Sequence, residues 1–351
     1  MISSMQKPLE AVVPYGPAGS SSRVRALNWL NHTGIQAILH DYLGLPANYP
    51  KDVMSQPFRA LSAERDLRKL SRNVQDSTLF LVREASPFSR GRIEQVLLSS
   101  AQYSVYDFDD ALGTPERGLV AQTFSKAMKW RRCVRSADTV VAGNAQLAEQ
   151  AHAAGARNIK VIPSCVEPSL YRQRTSFERE GPPTAVWIGS PATEGYLKKI
   201  AAPLLFANRE TGLRLNVISS GNASFGELDR IVDREQWTSE ANNRLADFDF
   251  GIMPLPDDLW TRGKCAYKLL EYGAAGLPMV GSPVGANVPA LAVMGGLSAT
   301  TSGEWVESLI ALSTAESKEL NSAGMLARQG VVDKYSYSSW AQKWLEAIQV
   351  K

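Results

Sequence analysis

Short apolar runs alternate with longer amphipathic stretches along nearly the whole chain, the pattern of a parallel sheet covered by helices on both faces. In the first half, strands are expected near residues 9–14, 35–39, 78–82, 103–107, 138–142 and 159–162. Helical runs lie between them: Arg23 to Asn31, Arg90 to Ser99, Leu119 to Arg135 and Ala145 to Ala154. The alternation breaks at a hydrophilic stretch containing Arg174, Glu178, Arg179, Glu180, Pro182 and Pro183, then restarts with strands near 184–189, 213–218, 249–253 and 277–281. A chain of 351 residues is long enough for two such domains. The organisation expected is an α/β protein with an N-terminal domain over 1–172, a linker over 173–183, a C-terminal domain over 184–333 and a terminal helical segment over 334–351. In that last segment Trp340, Trp344 and Ile348 recur every four residues as an apolar stripe.

The stretch from Trp260 to Pro289 carries the most chemistry. It reads as a basic loop, a helix, and a buried strand that ends in a Gly/Pro turn. Arg262 and Lys264 stand where the helix begins, adding their charge to its unpaired N–H groups and positive dipole end, which suits a phosphate. Lys268 and Glu271 follow on the face of Lys264 at offsets of four and three. A carboxylate so placed accepts hydrogen bonds from two vicinal hydroxyls, as an acid does with ribose in dinucleotide folds. The expected ligand is a nucleoside diphosphate.

This stretch resembles the donor-site signature of GT-B glycosyltransferases, especially the retaining glycosyltransferase family 4. Glu271 with Ala274, Ala275, Gly276, Pro278 and Val280 matches the second half of that signature, and Gly263 stands at the position of its first glutamate. Ala185 to Pro191, Phe248 to Leu255, Val105 to Asp110 and Val161 to Ser164 resemble further landmarks of the group. The resemblance implies two Rossmann-like domains facing an interdomain cleft, with the C-terminal helix crossing back to the N-terminal domain. An ordinary amphipathic helix closing the second domain is the competing reading of that helix.

The activity implied is a hexosyltransferase-type reaction, moving a sugar from a nucleoside diphosphate, uridine diphosphate above the others, to a hydroxyl of a small-molecule, lipid-linked or glycan acceptor with retention of configuration. Arg262, Lys264 and Lys268 are expected at the diphosphate, together with the glycines of the Pro14-to-Arg23 turn, Gly16 and Gly19, which permit φ > 0 and close backbone approach. Glu271 is expected at the ribose, and Ser190 and Trp237 at the nucleobase. Asp107 and Asp109 stand at the end of a strand, where ligands of open α/β sheets bind. They are read, with Lys264, as catalytic; capping of the next turn is their structural alternative. Arg83 and Glu84, after the strand 79–82, are candidates for the acceptor.

Two other classes stay open: a GT-B relative acting as a nucleotide-sugar epimerase or phosphorylase, and a non-catalytic nucleotide-sugar binding protein, motivated by Gly263.

An Asp-x-Asp at 107–109 suits a hard divalent cation, but Arg262 and Lys264 supply the same positive charge to a diphosphate. Neither a metal nor another cofactor is therefore expected beyond the nucleotide sugar. Three scattered histidines, His32, His40 and His152, provide no metal cluster or hydrolase triad. Cys133, Cys165 and Cys265 have no ligand spacing and read as reduced thiols. Met1 to Val13 lacks a signal-peptide pattern, so the expected location is the cytoplasm. A net charge of +3 is too small and too dispersed for a nucleic-acid partner. Two basic stretches, Lys126/Lys129/Arg131/Arg132/Arg135 and Arg65/Arg68/Lys69/Arg72, are compatible with peripheral contact to an anionic membrane or with solvated helix faces.

Overall fold

A computed structural model describes residues 9–48, 50–114, 125–238 and 240–349. It divides into two compact units. The first comprises Met1–Ser164, Gly263–Cys265 and Trp340–Lys351; the second comprises Cys165–Arg262 and Ala266–Ser339.

The first unit is built on six parallel strands: β1 (Leu9–Val12), β2 (Ala37–His40), β3 (Thr78–Val82), β4 (Tyr103–Phe108), β5 (Thr139–Ala142) and β6 (Ile159–Val161), in the order β2-β1-β3-β4-β5-β6. The central strands are continuous apolar runs because helices cover both faces, and every residue of β3 is buried. β1 stops at Val12, before the Pro14 that cannot donate to the ladder. After it the chain is helical from Ser20 to Thr33, with a wide π turn over Arg23–Leu27. Of the helix expected from Leu119 to Arg135, residues 119–124 lie outside the described residues; the helix described runs Lys126–Ser136.

The terminal helix Tyr337–Ile348 places Trp344 flat against Trp29, ring centroids 5.3 Å apart, and edge-on to Phe80 at 5.7 Å. Trp344 and Ile348 are fully buried, whereas Trp340 is half-buried with Lys343 over its ring. The stripe therefore closes the sheet of the first unit.

The second unit also has six parallel strands: β7 (Thr184–Ile188), β8 (Arg214–Ile218), β9 (Val232–Glu235), β10 (Phe250–Met253), β11 (Met279–Gly281) and β12 (Leu297–Ser298), ordered β12-β11-β10-β7-β8-β9. This is the Rossmann order, with the reversal between β7 and β10. β9 and β12 were not expected, since one is the polar Val-Asp-Arg-Glu edge and the other is two residues long.

Residues 173–183, read as a linker, belong to this unit. Arg174 bonds Asp249 at 2.9 Å, Arg179 donates to the Ser313 carbonyl, and Asp249 also accepts from the Thr184 N–H at 2.8 Å. The boundary falls instead at Ser164/Cys165. Charge in the stretch looks solvated in sequence, but buried Asp249 and helix-end carbonyls hold it.

Candidate active site

In each sheet the strand order reverses once, and the residues just beyond the carboxyl ends at that point are those a ligand meets in open α/β folds. In the first unit the reversal lies between β1 and β3, followed by Tyr15 and by Arg83. Arg83 adopts φ = 59°, the left-handed region that a side chain other than glycine occupies only under strain, and such strain concentrates at functional positions. The turn aims its guanidinium at three groups: Ser21 Oγ at 2.7 Å, Asp110 Oδ2 at 2.9 Å and Asp109 Oδ1 at 3.5 Å.

Asp110 is shared, because Lys264 donates to its other oxygen at 2.7 Å. Lys264 is fixed by its backbone. Asn144, the N-cap of the helix Ala145–Ala154, accepts the Leu147 N–H through Oδ1 and donates Nδ2 to the carbonyls of Gly263 and Lys264, both at 3.1 Å. Cys265 donates its thiol to the Asp109 carbonyl at 3.3 Å, and Ala266 leaves the segment at φ = 55°.

The two adjacent carboxyls are driven apart. Burial raises Asp109 above the usual carboxylate range, with Arg83 opposing. Burial acts in the same direction on Asp110, but Arg83 and Lys264 outweigh it and hold this carboxyl below that range. Neighbouring acids separated in this way are suited to different tasks, one as an ionised anchor and one as a proton carrier. Burial also pushes the Cys265 thiol up, which makes it a packing group and not a nucleophile.

Other sequence-predicted residues behave differently. Asp107 is fully buried and bidentate to Arg25, with contacts of 2.8 and 2.7 Å, while Arg25 also bonds the Ile162 carbonyl at 3.1 Å. Burial raises its carboxyl to about 6 against the pull of Arg25. It ties β4 to the π turn and presents no atom to a substrate. Glu84 turns away to Lys129, itself buried and also bonded to the Ser86 carbonyl, so it does not join Arg83.

Gly16 and Gly19 are explained by packing. A Cβ on Gly16 would strike the Gly44 backbone, and one on Gly19 would strike Tyr15 and the Pro46 carbonyl. Neither has φ > 0. The loop 41–46 occupies the space that a ligand approaching these glycines would need.

Gly263 has a similar cause. A Cβ there would lie 2.6 Å from Ala111 Cβ and 2.9 Å from its N, which closes the position to the glutamate of the resembled signature. Gly263→Ala is expected to destabilise the first unit by about 1–3 kcal/mol, read as a lower urea midpoint.

In the second unit, β7 runs into Gly189 and Ser190 beside the reversal. The helix Tyr267–Ala274 is pinned over the ends of β7 and β10 by Tyr272, whose hydroxyl accepts the Ile188 N–H at 3.2 Å and donates to the Ile252 carbonyl at 3.1 Å. Lys268, in its first turn, lies with Nζ 5.2 Å from the centroid of buried Trp187. A Cβ on Gly189 would lie 2.6 Å from the ring of buried Trp187 and 2.7 Å from Lys268 Cε; the lysine tip could move aside but the ring could not, so glycine is required there. Glu271 is largely buried one turn on. Arg262 is exposed and pairs with Asp257 at 2.6 Å. Ser190 is exposed before the 3₁₀ stretch Pro191–Ile200, and Trp237 is exposed beyond β9, two strands from the reversal and about 10 Å across the sheet. Sequence reasoning missed Ser21, Asn144, Trp187 and the role of Asp110. Only Asn144 carried a signal, as a cap after a strand.

Among the described residues, no group of three or more His, Cys, Asp or Glu is arranged to hold a metal ion. No helix among them is long and apolar enough to cross a membrane.

No protein-family model and no curated protein matches the sequence. Solved structures do. Sucrose-phosphate synthase from Thermosynechococcus elongatus superposes with a TM-score of 0.73 at 12% identity, over 98% of each chain. The fold is GT-B. Alr3699/HepE from Anabaena, solved with UDP and glucose, gives 0.69 at 14% identity over 98% of this chain and 99% of its own. The lipopolysaccharide outer core galactosyltransferase WaaB gives 0.62 at 12% identity over 97% and 99%. At these identities GT-B describes the arrangement of the chain within its Rossmann-like units, and the chemistry rests on the residues.

Proposed function

We propose that the protein is a retaining, family 4-like glycosyltransferase that moves a sugar from a nucleoside diphosphate, UDP the expected nucleotide, to an acceptor hydroxyl. The observation that carries this reading is Lys268 and Glu271 in the helix pinned over Gly189 at the reversal of the second sheet, a cation and an acid one turn apart at the fold's ligand position. The solved complexes of Alr3699/HepE with UDP-glucose and of TarM with UDP support the nucleotide assignment.

Lys264, Lys268 and Arg262 are assigned to the diphosphate. Their charge stabilises the leaving group as the glycosidic bond stretches toward an oxocarbenium-like state. Binding releases Lys264 from Asp110 and Arg262 from Asp257. Glu271 takes the ribose hydroxyls, while Ser190 and Trp237 flank the base. Asp109, with its raised pKa, is assigned to sugar hydroxyls or to proton transfer, and Arg83 to the acceptor. In a front-face reaction the leaving phosphate itself takes the acceptor proton, which leaves Asp109 to the sugar hydroxyls, and no metal is required. The protein acts in the cytoplasm.

The test is thermal stabilisation by UDP, GDP, ADP and TDP, each with and without EDTA. UDP at a hundred times its dissociation constant is expected to add about 2.7 kcal/mol, a rise in Tm of a few degrees that survives EDTA. No shift with any nucleotide would refute the reading. Bound nucleotide without turnover of any acceptor and without slow hydrolysis would favour a binding protein, in line with Gly263; turnover of donor alone to an isomer would favour an epimerase.

A further inference from the structure

We propose that the helix Pro57–Asn73, with Met54 beside it, rests its outer face on an anionic lipid surface. Phe58 is 87% exposed, Met54 73% and Leu61 60%, three large apolar side chains within one short stretch. Scattered exposed apolar residues need no explanation; a group of this kind does.

At 3.6 residues per turn, Phe58, Leu61, Arg65, Arg68, Lys69 and Arg72 fall on one arc of the helix, and Ala60, Leu67 and Leu70 on the buried side. The outer arc carries no carboxylate. Glu64, on its flank, turns inward to Tyr42 and Ser86, and Asp66 on the other flank reaches Ser62 and Lys69. Arg65, Arg68 and Arg72 have no acidic partner among the described residues. The face thus begins with apolar tips and continues as a cationic band.

That order selects the occupant. A nucleic acid would use the cations and leave Phe58 and Met54 in water, whereas a bilayer surface takes the apolar tips into its acyl boundary and the cations at its phosphates. The other basic helix, Lys126–Ser136, does not share the property. Lys129 and Trp130 are buried in it, and Arg132 and Arg135 are bonded to the carbonyls of Arg90 and Ala154. No residue of the lipid face belongs to the donor site, so the two readings stand separately.

The experiment is flotation of the full chain with vesicles of phosphatidylcholine plus phosphatidylglycerol, and with phosphatidylcholine alone. Strong flotation is expected only on the anionic vesicles, weakening as salt is raised. Phe58→Ser with Leu61→Ser is expected to lower the partition at least about tenfold, and Arg65→Gln with Arg68→Gln about thirtyfold. All four positions are exposed, so far-UV circular dichroism should be unchanged. Failure of the wild type to float on anionic vesicles, equal flotation on neutral ones, or flotation indifferent to both variants would overturn the proposal.

Discussion

Replacing Asp107 by alanine is expected to cost the first unit about 3–5 kcal/mol of stability, the range for breaking a buried ion pair from one side. The loss comes less from the attraction removed than from what stays behind. Arg25 is fully buried in the π turn, cannot give up its proton, and would keep only the Ile162 carbonyl. Removing both charges, as in Arg25→Met with Asp107→Leu, is expected to recover most of the loss, because no stranded charge remains. Urea unfolding followed by circular dichroism compares the three proteins, with free energies taken only if the transitions are two-state. A loss below about 1 kcal/mol in Asp107→Ala would mean that the pair is not formed. The double variant also decides the role of Asp107: it should retain nucleotide binding and transfer, whereas a catalytic aspartate would take activity with it.

Lys264→Ala is expected to behave in the opposite way, lowering kcat/KM for transfer by about 10²–10³ while leaving stability within about 1 kcal/mol of wild type. Its ion pair with Asp110 is partly exposed, and Asp110 keeps Arg83 when Lys264 is gone, so the folded state loses little. The departing diphosphate would lose a cation that Asn144 positions through the backbone. Steady-state kinetics with a UDP-sugar donor and UDP titration calorimetry read the two effects. Full transfer activity in Lys264→Ala would remove it from the reaction.

The contrast between these two residues shows what the sequence could reveal. Asp107 and Lys264 both stand in motifs, but the motif around Lys264 is local, one loop and one helix, whereas the fate of Asp107 depends on Arg25, far away in the chain. Strand alternation puts Asp107 and Asp109 on one face; the structure parts them because β4 ends at Phe108 and the period of two no longer applies beyond it. The central strands were legible since parallel strands buried on both faces are apolar throughout; β9 and β12 were not, being a polar edge and a two-residue pairing. Gly16 and Gly19 carried a true signal of close approach, but a glycine does not say whether the approaching group is a ligand or, as here, the backbone of another loop. The strained turn at Arg83 had no signal at all, because nothing in an arginine announces φ > 0.

The membership of Gly263–Cys265 and Trp340–Lys351 in the first unit has a consequence for how the molecule comes into being. Domains usually fold as they leave the ribosome, the N-terminal one first. Here Trp29 and Phe80 wait for Trp344 to cover them, and Asp110 waits for Lys264. The first unit to begin folding is therefore completed only after the second has been synthesised, and until the helix Tyr337–Ile348 has emerged its sheet carries an apolar face open to aggregation.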